Sequence, residues 1–128
     1  MKWMLGTILI LALATGCQQN FDDRLAKEAR EYTQKHCPRQ LDAYTTLDST
    51  AYDTETRTYR NYLTLNAQTP AALLDNLQLV KQTLIRDLQN DANWNAARKK
   101  EINFEYIYRM EAGGQAFTIR LVPQDYNA

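Results

Sequence analysis

The sequence predicts an α+β domain: a four-stranded antiparallel sheet with helices packed on one face, in the order helix, hairpin, helix, hairpin. Three observations carry that expectation. Apolar residues recur at helical spacing over about 22–36 and 70–89. Thr- and Tyr-rich segments at about 44–52 and 57–65 favour strands. A second alternating pair, 102–110 and 117–121, flanks a turn containing Gly113 and Gly114.

Each element has its own local logic. In the first helix Phe21, Leu25, Ala29 and Tyr32 share one side, while Lys27, Glu28, Arg30, Glu31 and Lys35 take the other. Asp22 or Asp23 is placed to cap it. Pro38 stops it, because the residue before a proline avoids helical angles. The first hairpin turns at Asp53-Thr54-Glu55-Thr56, with Leu47, Ala51, Tyr59, Leu63 and Leu65 expected on one face. Thr69-Pro70 is a hydroxyl N-cap followed by proline at the first helical position. Leu73, Leu77, Val80, Leu84 and Leu88 then form a stripe expected to lie across the sheet. A short helix at about 92–100 carries Trp94 and Ala97 inward. Ile102, Phe104, Tyr106, Tyr108 and Met110 form the core side of the third strand, and Phe117, Ile119 and Leu121 that of the fourth.

The N-terminus predicts an address. Lys2 precedes an almost wholly apolar run through Ala14, and small residues follow, as in a secretory signal. The run is shorter than the roughly 20 apolar residues of a spanning helix. Ala14-Thr15-Gly16-Cys17 resembles the bacterial lipobox, with Ala14 where leucine is commoner. The resemblance implies cleavage after residue 16, acylation of Cys17, a lipidated tether at 17–21 and one domain over 22–128. Several acyl chains would hold the chain to the membrane, since one alone is marginal. Gln18 rather than aspartate after the cysteine implies, by the same resemblance, the outer membrane of a bacterial envelope.

Composition narrows the partners. The chain has 128 residues, 15 basic and 15 acidic side chains and no formal net charge. Removing the first 16 residues, which hold only Lys2, leaves 112 residues with one excess negative charge. That length supports one core. Neutrality argues against nucleic acid and against a polybasic membrane patch, leaving lipid on Cys17 as the link to the bilayer. A lipidated Cys17 would leave Cys37 without an intramolecular disulfide partner.

The stretch from His36-Cys37-Pro38 through Tyr62-Leu63-Thr64-Leu65, with residues 102–123, is similar to small uncharacterised bacterial envelope proteins. In them a helix ends at proline, an Asp- and Thr-containing strand follows, and Tyr-rich strands complete the sheet. The resemblance implies a fold and an envelope setting, and no activity.

Candidate chemistry is sparse. His36-Cys37 invites a thiolate pair, but adjacent helical side chains do not face each other and the helix C-terminus disfavours an anion. A structural cysteine is the better expectation. Asp48, Asp53 and Glu55 lack a calcium-loop pattern, and the sequence pairs no two acids for hydrolysis. The expectation is therefore a non-enzyme without cofactor or metal, a module that binds another protein: an accessory subunit, inhibitor or immunity-type protein. The candidate surface is the polar sheet face with Asp48, Thr50, Tyr52, Arg60, Tyr62, Glu105, Ile107, Arg109 and Arg120. Tyr52, Arg60, Tyr62, Arg109 and Arg120 are its interface-type residues. An ordinary solvated face with cross-strand Arg–acid pairs is the alternative. A small-ligand or glycan binder using Tyr52, Tyr62 and Trp94 is the rival function; a hydrolase ranks last.

Overall fold

A computed structural model describes the backbone of residues 2–114 and 116–127, and the side chains of 19–114 and 116–127. The side chain of Cys17, with the lipidation expected of it, lies outside the described residues. Helix α1 spans Lys2–His36, so the 17–21 segment expected as a tether lies within it. Asp22 is consequently interior to the helix and caps nothing. Its carboxylate instead accepts from the Tyr52 hydroxyl at 3.0 Å and lies 3.6 Å from Arg57 Nε.

The sheet has five strands in spatial order β1 to β5 (Arg39–Gln40, Thr45–Asp53, Thr58–Leu65, Asn103–Met110, Phe117–Leu121). Two corrections to the expected sheet follow. The first is β1, a two-residue edge strand paired with β2, too short to show any alternation in sequence. The second is direction. Both hairpins are antiparallel as expected, but β3 and β4 pair in parallel, Thr58 opposite Asn103 and Leu65 opposite Met110. The sheet is therefore mixed. The chain leaves β3 at one end and re-enters β4 at the other, and residues 66–102 make the long helical crossover that parallel neighbours require.

That crossover holds α2 (Ala71–Leu74), α3 (Leu77–Asn90), a 3-10 turn at Ala92–Trp94 and α4 (Asn95–Lys99). The single helix expected over 70–89 is thus broken. Asn76 breaks it: its side chain accepts from Leu79 N at 3.2 Å and caps a fresh helix. After β5, α5 (Pro123–Tyr126) folds back, and the Tyr126 hydroxyl donates to Ile102 O at 2.7 Å.

One core joins these parts. Leu25 and Ala29 of α1, Leu88 of α3, Ala97 of α4 and Tyr126 of α5 meet the inward side chains of the sheet. Phe104, Ile102 and Leu121 are its most deeply buried large side chains. Helices on one face of the sheet, as expected, leave the other face polar.

The alternation in β2 slips at a bulge. Leu47 pairs with Leu63, but Ser49, not Asp48, pairs with Tyr62. One extra residue in a strand turns every later side chain to the opposite face. Thr50 and Tyr52, expected outside, are buried, and Ala51, expected inside, is exposed. The burial has polar support. Thr50 Oγ1 donates to Ala29 O at 2.7 Å, and Thr50 N donates to Thr33 Oγ1 at 2.8 Å.

Candidate functional site

The leucine stripe of α3 does not pack along its whole length. Leu88, near the C-terminal end, is 4% exposed, whereas Leu77, the first residue of the helix, is 36% exposed. Local bonds explain the gradient. The C-terminal end is held by Gln89 Nε2 donating to Tyr126 O at 2.9 Å and by Arg98 NH1 donating to Leu88 O at 2.6 Å. Lys81 reaches only a peripheral ion pair, 3.8 Å from Asp125. Before Leu77, the break at Asp75-Asn76 sets α2 apart from α3. The N-terminal half of α3 is therefore only partly seated: Val80 and Leu84 pack against the core, while Leu77 and Leu79 stay exposed.

Beside this half lies a cleft of about 500 Å³. Leu63, Leu65, Tyr106 and Tyr108 of β3 and β4 floor it, and Leu74, Val80 and Leu84 wall it. Leu41, Leu73 and Leu79 are exposed at its edges. A more polar cleft of about 700 Å³ adjoins it on the α1 side, bounded by Tyr32, Arg39, Tyr59 and Trp94. Leu47 and Asn61 line both, so the two share a floor. Several leucines exposed around one concavity are the pattern of an interaction site. Covering one fully would contribute about 1.5–3 kcal/mol.

The cleft is chemically quiet. Burial pushes the Tyr108 hydroxyl up to about 12. Burial raises Tyr106 as well, and the nearby charges of Tyr108 and Asp87 add to it. Both phenols remain protonated at neutral pH. They offer hydrogen bonds, not nucleophiles or bases.

The five interface-type residues predicted from sequence are not together. Arg60, Tyr62, Arg109 and Arg120 share the outer face, while Tyr52 lies on the opposite face beneath α1. Each arginine has an acidic neighbour. Arg60 Nε donates to Glu105 Oε1 at 2.9 Å, and Arg120 NH1 to Oε2 at 2.8 Å. Arg109 Nε lies 3.5 Å from Asp48 Oδ2, which also accepts from Thr64 at 2.5 Å. Burial raises the Glu105 carboxyl, but the bonds from both arginines outweigh it and leave it below its ordinary range. The outer face is largely a set of internally paired charges around Tyr62 and Ile107.

The other candidates separate too. The His36 ring rests against Tyr32, centroids 5.0 Å apart. Burial raises the half-buried Cys37 thiol, and the charge of Asp48 raises it further, the reverse of what a nucleophile needs. Asp53 closes the hairpin turn, accepting from Glu55 N at 2.9 Å, away from Asp48. Among the described residues no group of three His, Cys, Asp or Glu side chains is placed to hold a metal ion. Trp94 packs edge-on against Tyr59 and Phe104, centroids 4.8 and 5.5 Å apart, and Tyr52 also lies against Tyr59, at 6.4 Å, whereas Tyr62 is on the opposite face.

Residues 20–117 match the model of a protein family described as a domain of unknown function, DUF8479. The chain belongs to this family. Curated protein sequences contain no match to it. Solved structures share its fold. A Pseudomonas aeruginosa protein described as secreted superposes with TM-score 0.68 at 14% identity, over 85% of this chain and 92% of that one. The pilotin EpsS of the Vibrio vulnificus type 2 secretion system gives 0.62 at 10% identity, over 82% and 94%. The type II secretion pilotin AspS of Vibrio cholerae gives 0.62 at 9% identity, over 88% and 97%. At these identities the likeness establishes a common α+β fold spanning nearly the whole domain.

The α3 cleft was missed in sequence because a leucine stripe looks the same whether it is covered or not. One signal was available. Asp75-Asn76 interrupts the helical run with two residues that favour caps over helix interiors.

Proposed function

We propose that this DUF8479 chain is a non-enzymatic envelope lipoprotein that seats an apolar segment of a partner protein in the cleft between α3 and the sheet. The observation that carries the reading is the half-seated N-terminal half of α3, beside an open, largely apolar concavity with exposed leucines at its edges. An amphipathic helix laid in such a groove is a recurrent mode of recognition. The Ala14-Thr15-Gly16-Cys17 motif supports anchoring through lipid on Cys17, and the likeness to two pilotins supports an accessory role beside an outer-membrane machine. An inhibitor or immunity-type role would use the same cleft.

Site-specific photocrosslinking in the native envelope tests this. A crosslinker at Leu79 should give one discrete adduct, and one at Thr118 on the outer face should give none. Equal adducts at both positions, or none at Leu79, would reject the cleft. Cys17→Ser should release the chain from membranes; unchanged retention would reject the anchor. A small apolar ligand is the second reading, favoured by a volume within the range of ligand pockets. Mass spectrometry of an organic extract of the purified protein would reveal it.

A further inference from the structure

The cleft is mostly apolar, with polar side chains set among its leucines. Asn61 and Tyr106 are paired across β3 and β4, and both line the cleft. Asp87 lines it from α3, one turn beyond Thr83. Among the described residues, none of these three side chains makes a hydrogen bond or ion pair within the protein. The other acid of the lining, Asp42, is already used: its Oδ1 accepts from Tyr44 N and Thr45 N, both at 2.8 Å. Among the described residues no lysine or arginine lines this cleft.

We infer that Asp87, Tyr106 and Asn61 form a polar anchor that selects a partner segment carrying one cationic side chain, lysine or arginine, within its apolar face. The inference rests on the cleft being a protein-binding site. A purely apolar occupant would cover a carboxylate, a phenol and an amide without giving them partners, and unpaired buried polar groups are costly. An ammonium or guanidinium supplies the missing donors. The carboxylate takes the charge, while the phenol oxygen and amide oxygen accept further hydrogen bonds. Tyr106 sits on a rigid inner strand, so the floor of this anchor is set before binding. Asp87 stands at the more open α3 wall and closes it from above.

The test uses the lipid-anchored chain in phosphatidylcholine nanodiscs, with empty discs subtracted. Two fluorescent leucine-rich amphipathic peptides serve as probes, identical except for lysine or norleucine at the centre of the apolar face. Anisotropy should show the lysine peptide binding at least about tenfold more tightly. Asp87→Asn should remove that preference and leave norleucine-peptide binding unchanged. Leu79→Asp should weaken both peptides. Equal affinity of the two peptides, with both sensitive to Leu79→Asp, would overturn the anchor and leave the cleft reading standing. Failure of both peptides to bind at any accessible concentration would overturn both. Self-association of discs through the cleft, without a lysine preference, would make a second copy the occupant and reject the cationic anchor.

Discussion

Helices α1 and α3 both present an apolar stripe to the same sheet, yet only α1 is seated along its described stripe. Ala29 of α1 is fully buried, with no side chain beyond Cβ to hold the helix away. Its carbonyl accepts from Thr50, and Thr33 accepts from the Thr50 backbone, so the interface is locked by directional bonds as well as covered. The facing positions of α3 are the larger Leu77, Val80, Leu84 and Leu88, and its hydrogen bonds to the rest of the molecule gather at its C-terminal end. An amphipathic stripe creates a tendency to bury; small residues and polar locks decide what it buries against. The half of α3 without them leaves its leucines for something else.

The largest expected effect comes from the one fully seated leucine of α3. Leu88→Ala should cost about 3 kcal/mol in urea unfolding, as buried leucine truncations do. A cost near zero would mean that α3 is loose throughout. Next comes the lock on α1. Thr50→Val keeps the shape but removes the side-chain donor that ties the Ala29 carbonyl to the sheet, and should cost about 1.5 kcal/mol. If it is silent, close packing alone holds α1, and the contrast reduces to residue size.

A change on the uncovered face should leave the contrast alone. Glu105→Gln weakens the pairs with Arg60 and Arg120, with an expected cost of about 1 kcal/mol near pH 7. The Glu105 carboxyl lies below its unfolded value of 4.5 in the native state. Its contribution is therefore full above that pH and is lost as pH falls through the native value. Melting temperatures of the two proteins should converge on acidification below 4.5. A gap independent of pH would show that packing, not charge, is responsible. The smallest effect belongs to Leu79→Ala. It should change stability by less than about 0.5 kcal/mol, as surface changes do, yet weaken partner binding. A large loss of stability there would place Leu79 in the core and close the cleft.

Much of the fold was legible from local pattern. The β3, β4 and β5 alternations place Tyr59, Leu63, Phe104, Tyr108, Ile119 and Leu121 inward, as the structure has them. The β2 alternation was misread beyond Leu47, because a bulge leaves no mark on composition; it turned Tyr52 from a candidate surface residue into a core one. The parallel pairing of β3 with β4 was foreshadowed by a crossover of 37 residues, 66–102, far longer than a hairpin needs. Alternation places Arg60, Tyr62, Arg109 and Arg120 on the outer face, where the structure has them, but not Tyr52. Their acidic partners were legible only as an alternative, since Arg60, Glu105 and Arg120 come from three strands.

The sequence by itself determined most of the inventory: the longer helices and four of the strands, where each hairpin turns, and a lipobox-like motif ending at Cys17. These depend on neighbours within a few residues. Only the tertiary structure decided the order and direction of the strands, the face of Tyr52, and how far α3 settles onto the sheet. Those outcomes depend on pairs distant in the chain, such as Gln89 with Tyr126 and Thr50 with Ala29. Their strength is set by whether the intervening chain brings them together, a quantity no local pattern contains.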